Sequence, residues 1–182
     1  MEQMARLLSE RSLEVIRFEF PYMAKRRLGG SKPPPDRQPV LLATWRQLIS
    51  SLIEESDLPL AIGGKSMGGR MATLVAADRK QPMPIKGVVC LGYPFHPRNK
   101  PQVLRTEHLT EMQTPTLIVQ GSRDPMGKRE EVDGYGLSTA VLLAWLDTAD
   151  HDLKPLVKSG YSHAECLTQA ADRIAAFLRL AC

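Results

Sequence analysis

Ser66 stands in the pentapeptide Gly64-Lys65-Ser66-Met67-Gly68, and further along the chain come Asp124, in Gly121-Ser122-Arg123-Asp124-Pro125, and His151, in Ala149-Asp150-His151. A serine hydroxyl is a weak nucleophile at neutral pH. It becomes competent when an imidazole takes its proton and a carboxylate holds the imidazole in the right tautomer and stabilises its charge. Residues of these types in the order Ser, Asp, His could therefore open an acyl carbon by nucleophilic attack. The G-x-S-x-G spacing carries its own geometry: a strand that reverses straight into a helix strains the serine backbone, and glycines two before and two after it remove Cβ atoms that would collide. The hydroxyl is left at the apex. The helix beyond aims free N–H groups at an anion forming there, that of Met67 being nearest. The bland reading is a tight strand-to-helix turn or a phosphate loop, but a Walker-type loop needs a glycine where Pro59 stands.

The base and the acid each have rivals. His151 follows the last apolar run in a short polar loop and is the first choice as base, with His163, flanked by Ser162 and Glu165, in reserve and better suited to capping a helix. His108 falls within a short helix and reads as a surface residue. Asp124 follows a strand directly, whereas Asp147, Asp150 and Asp152 read as residues that solvate the loop around His151. Tyr22, Lys65, Tyr93, Phe95 and His96 are candidates to line the substrate pocket.

The elements that must position these groups follow from periodicity. Met4, Leu7 and Leu8 mark a short helix face, and residues 13–20 alternate like a strand that stops at Pro21. Residues 22–39 read as a loop carrying Lys25, Arg26, Arg27, Lys32 and Arg37 among glycines and prolines; without interleaved aromatics this is a solvated surface segment rather than a nucleic-acid grip. Leu41, Trp45, Leu48 and Leu52 describe an amphipathic helix ending near Ser56. Residues 58–63, 85–91, 116–120 and 140–146 read as buried strands, with short helices near 107–112 and 128–133 and a final helix over 162–180. Strands alternating with helices predict an α/β fold, a largely parallel sheet with helices on both faces. Ligands meet such sheets at the carboxyl ends of the strands, and Ser66, His96, Asp124 and His151 all lie just past predicted strand ends.

The 182 residues fit one domain. A net charge of +4 spread over them speaks for solubility more than for nucleic-acid affinity. Cys90, Cys166 and Cys182 have no metal-ligand spacing and cannot all pair, which points to a reducing, cytoplasmic compartment, with Cys90 as buried packing. No signal pattern and no membrane-length apolar run is present in the sequence.

The chain resembles the α/β-hydrolase superfamily, specifically the bacterial predicted hydrolases related to the hydrolase-like domain of the NSL-complex regulatory subunit 3 and its testis-expressed relative. The resemblance rests on the motifs at residues 17–23, 63–70, 91–97, 121–125 and 149–151, and spans nearly the whole chain. It implies a serine hydrolase site with Ser66 as nucleophile, Asp124 as acid and His151 as base, and no cofactor, while the substrate does not carry over; the leading function is an acyl hydrolase without a metal, acting on a small or medium ester or thioester. One departure stands out: members of this fold usually begin with another strand and a His-Gly-type turn that donates a second oxyanion N–H. That strand would lie between residues 13–20 and 58–63, so its absence predicts a slot about 10 Å wide. Either the native product begins upstream of Met1 or the two strands close together around a distorted pocket. Loss of the second donor alone costs on the order of 10²–10³ in kcat. A domain that keeps the fold as a non-catalytic interaction module is the competing function, and a phosphate or nucleic-acid binder using residues 25–37 is a third.

Overall fold

The computed structural model describes residues 1–29 and 33–181. Four strands, β1 (Leu60–Lys65), β2 (Ile85–Leu91), β3 (Thr116–Gly121) and β4 (Val141–Leu146), pair in parallel in the order β1-β2-β3-β4. Seven helices accompany them among the described residues: α1 (Glu2–Ser9), α2 (Pro21–Arg27), α3 (Gln38–Glu55), α4 (Met67–Ala76), α5 (Glu107–Thr110), α6 (Arg129–Val132) and α7 (His163–Ala181). Strand alternation divides the interior into two cores. Val88, Cys90 and Ile118 face a layer holding Trp45, Ile49, Met71, Val75 and Leu109, while Leu91, Leu117 and Val119 face Met4, Leu7, Ala170 and Ile174. The sheet is therefore covered by α3, α4 and α5 on one side and by α1 and α7 on the other, the arrangement expected for parallel strands buried on both faces. Cys90 is fully buried, and burial pushes its thiol pKa up, so it serves as packing.

Two predicted elements differ. Residues 13–20 form no strand: they join no ladder, and their burial alternation slips phase at Ile16 and Arg17, with Ile16 left exposed. Phe18 and Phe20 are held instead on Trp45 of α3, with ring centroids 4.5 Å and 6.5 Å away. Alternation describes a half-buried extended chain, but a ladder also needs a neighbouring edge, and β1 is the edge of the sheet with nothing hydrogen-bonded to its outer side among the described residues. The two segments have not closed together. The second correction is α2, which occupies residues read as loop; Pro21 at its first turn starts it by fixing φ where no N–H is needed. In the basic stretch Arg27 pairs with Glu19 at 3.0 Å and Arg26 donates to Pro33 O, while Gly30 and Lys32 lie outside the described residues, as does Cys182.

Candidate active site

The registers Lys65 with Leu91, Leu91 with Val119 and Gly121 with Leu146 align the strand ends, so the segments that follow gather on one rim. Ser66 caps α4 with φ 52° and ψ −118°, a strained conformation for a residue with a Cβ. Its N–H donates to Leu91 O at 2.9 Å, which ties the turn to β2. Gly64 is needed as expected, since a Cβ there would meet Gly68 C at 2.8 Å. Gly68 is not: a Cβ on it would enter open space, whereas one on Gly69 would meet Gly64 O at 2.7 Å and Cys90 Cβ at 3.1 Å. The close packing of helix on strand thus falls on the second glycine of the pair, and the first leaves the start of α4 open beside Ser66.

His151 Nε2 lies 2.8 Å from Ser66 Oγ, and its Nδ1 lies 2.7 Å from Asp124 Oδ2. An aspartate carboxylate only accepts, so the ring proton sits on Nδ1 and the Nε2 lone pair faces the serine hydroxyl. Asp124 is completely buried; Oδ2 also accepts from Gln120 Nε2 at 2.8 Å and Oδ1 from Met126 N–H at 2.8 Å. His151 rides on a loop shaped by Asp150, whose Oδ1 accepts from the N–H groups of Asp152 and Lys154 at 2.8 and 3.0 Å. Asp152 pairs with Lys65, whose hydrogen bond is the main cause holding its carboxyl below the usual range, and Asp147 pairs with Arg129 at 3.1 Å. His163 stands apart, with Nε2 donating to Asp152 O at 3.1 Å.

The remaining sequence candidates are placed as follows. Lys65 flanks Ser66 and joins β1 to the His151 loop through Asp152. Tyr93 and Phe95 are fully buried, edge to face at 4.8 Å, and His96 is buried with Nδ1 donating to Pro97 O at 2.9 Å. Tyr22 is buried between Phe20 and Arg26, and its N–H donates to Asp36 Oδ2 at 2.9 Å. None of these four touches Ser66 or His151 by a hydrogen bond. Of the N–H groups at the α4 terminus, that of Met67 directly follows Ser66.

Two contributors were not singled out in the sequence. Gln120, fully buried at the end of β3, clamps the neighbourhood: its Oε1 accepts from Tyr93 N–H at 2.7 Å while Nε2 reaches Asp124. The signal was an amide closing an otherwise apolar strand. Gly92, at φ +62°, lets the chain pass under the His151 carbonyl, which a Cβ would meet at 2.5 Å. His108 is half-buried rather than on the surface, with Nε2 2.9 Å from Thr73 Oγ1. Among the described residues no cluster of three or more His, Cys, Asp or Glu could hold a metal ion, and no helix is long and apolar enough to cross a membrane.

The family model described as alpha/beta hydrolase domain matches residues 1–179. An alpha-beta serine hydrolase homologue from Coxiella burnetii superposes with a TM-score of 0.68 at 20% identity, covering 97% of this chain and 74% of that one. The esterase domain of a Rhodothermus marinus protein gives 0.67 at 18% identity over 98% and 78%. The Paleococcus ferrophilus monoacylglycerol lipase gives 0.62 at 15% over 96% and 88%. At these identities the structures establish a shared fold, in which the present chain has four strands among its described residues.

Proposed function

We propose, for a chain that belongs to the alpha/beta hydrolase domain family, that residues 1–182 act as one domain hydrolysing a carboxylic ester or thioester through Ser66, His151 and Asp124. In this reading Ser66 Oγ attacks the carbonyl carbon as its proton passes to His151 Nε2. Asp124 holds Nδ1–H and stabilises the imidazolium. The oxyanion is met by the Met67 N–H at the positive end of α4. Collapse expels the alcohol or thiol, which takes the proton from Nε2 and leaves an acyl-Ser66. Water, deprotonated by Nε2, then attacks the acyl carbon, and the free acid leaves as Ser66 regains its proton. No cofactor takes part.

The observation that carries the reading is the continuous relay of 2.8 Å and 2.7 Å from Ser66 through His151 to Asp124. In this reading Lys65, next to Ser66, lines the substrate site, while the buried Tyr22, Tyr93, Phe95 and His96 support the surrounding core rather than touch the substrate. The narrower kinship with the NSL-complex subunit 3 relatives belongs to the same reading, as does a cytoplasmic setting, which the free buried Cys90 and Cys166 favour. A small ester is the partner, not nucleic acid.

The test is a fluorophosphonate probe. Covalent labelling that disappears in Ser66→Ala is expected. The second reading, a binding module that has kept the fold, is favoured by the outer edge of β1, which has no partner strand among the described residues; a folded sample that takes no label at all establishes it in place of the first.

A further inference from the structure

Arg70 lies four residues after Ser66 on α4, and its N–H donates to Ser66 O at 3.0 Å. The offset is about 6 Å along the helix axis, and helical side chains lean back towards the N-terminus, so its side chain leans towards the Ser66 end. Arg105 arrives from the segment after β2, its N–H donating to Phe95 O at 2.8 Å. A run of polar contacts joins the two backbones. The Thr73 hydroxyl donates to Arg70 O at 2.8 Å, and the Tyr93 hydroxyl donates to Arg105 O at 2.8 Å. His108 Nε2 sits between these hydroxyls, at 2.9 Å and 3.4 Å. Both hydroxyl protons are committed to carbonyls, so His108 is the donor and carries its proton on Nε2.

The two guanidiniums themselves have no such partners. Among the described residues neither makes an ion pair or a hydrogen bond, and Arg70 Nε is buried with nothing to donate to. The Nε atoms of Arg46 and Arg129 are also orphaned, but those side chains reach Asp78 and Asp147 through another nitrogen. Burial and the Arg70 charge hold Arg105 below its ordinary value, and the same two causes push His108 down to about 4. The Tyr93 phenol offsets part of this at Arg105. Two partly desolvated cations on backbones joined by this run of polar contacts, with no counter-ion among the described residues, cost free energy, which a bound anion would remove.

We propose that Arg70 and Arg105 seat a carboxylate carried by the substrate itself, so that the ester opened at Ser66 is a half-ester of a dicarboxylic acid or a similar anionic acyl compound. This rests on the hydrolase reading above. The carboxylate anchors one end of the substrate and its ester carbonyl reaches Ser66 across a spacer of roughly one helical turn, ~5 Å.

The experiment compares mono(4-nitrophenyl) glutarate with the uncharged 4-nitrophenyl pentanoate. The anionic ester is expected to be favoured in kcat/KM by about 10- to 100-fold. Arg70→Gln and Arg105→Gln should each shrink that preference while melting at or above the parent temperature, because repulsion is relieved. In Ser66→Ala, added glutarate should raise the NMR titration midpoint of His108, a response that Arg70→Gln abolishes. Equal rates on the two esters, or a preference that survives both substitutions, overturns the proposal. So does an Arg70→Gln variant that melts well below the parent, which makes Arg70 a structural residue. If inorganic phosphate moves His108 and glutarate does not, the seat belongs to a free anion and the substrate assignment falls. If glutarate moves His108 and neither ester turns over, the hydrolase reading falls, and the substrate assignment with it, while the seat stands.

Discussion

Around Asp124 both carboxylate oxygens have donors and His151 has a partner at each ring nitrogen, whereas one turn along α4 the Arg70 guanidinium has none among the described residues. The first patch is finished within the chain. Its polar atoms are held by Gln120, Met126 and the Asp150 turn, so its geometry needs no ligand to form. The second carries charge that no described residue compensates, the condition that favours an anion from outside. The two patches meet at the start of α4, where Ser66 caps the helix and Arg70 follows one turn on.

The largest effect should come from breaking the finished patch at its relay. His151→Ala is expected to lower ester turnover on the order of 10³-fold or more, with little change in melting temperature. His163→Ala should stay near the parent rate in the same assay, and a parent-like His151→Ala would end the assignment. Next, Gln120→Leu orphans Tyr93 N–H and removes a donor from Asp124, at a cost of about 2–4 kcal/mol in denaturant melts. A neutral result would mean that the clamp does not hold this patch.

The arginine patch is sharpened by pH. His108 titrates near 4 in the folded chain against an ordinary 6.5, so its contribution to stability is full above about 6.5 and is lost as pH falls through 4. The swing is about 3 kcal/mol. His108→Gln should flatten that part of the stability profile between pH 7 and 4, measured as the difference from the parent in denaturant midpoints. An unchanged slope would mean that neither burial nor the Arg70 charge depresses the His108 pKa. The smallest effect is expected at Asp152→Asn, which loses the exposed pair with Lys65 and should cost under about 1 kcal/mol. Because the Asp152 pKa is depressed, even this contribution is present above the usual carboxylate range and fades as pH falls through the lowered value. A larger loss would show that the His151 loop leans on it.

Local pattern was enough for much of the scaffold. The β2 run of residues 85–91, the stripe of α3 and the apolar face of α7 each write their burial into a period of two or 3.6, and the G-x-S-x-G turn writes its strain into glycine. The chain order Ser66, Asp124, His151, each just past a strand, already pointed to a common rim. Residues 13–20 carried the same kind of alternation and formed no strand, because pairing depends on a second edge that no local period records. Likewise the sequence alone could not tell Gly68 from Gly69, the roles of Gln120 and Gly92, or that Thr73, His108 and Tyr93 would join the backbones of Arg70 and Arg105. Those are distances between residues far apart in the chain, set by how α4 lies on the sheet and how the segment after β2 folds back over it. Periodicity sets which face of an element is buried, and only the packing of elements decides which polar groups are left to meet, or to wait for a partner.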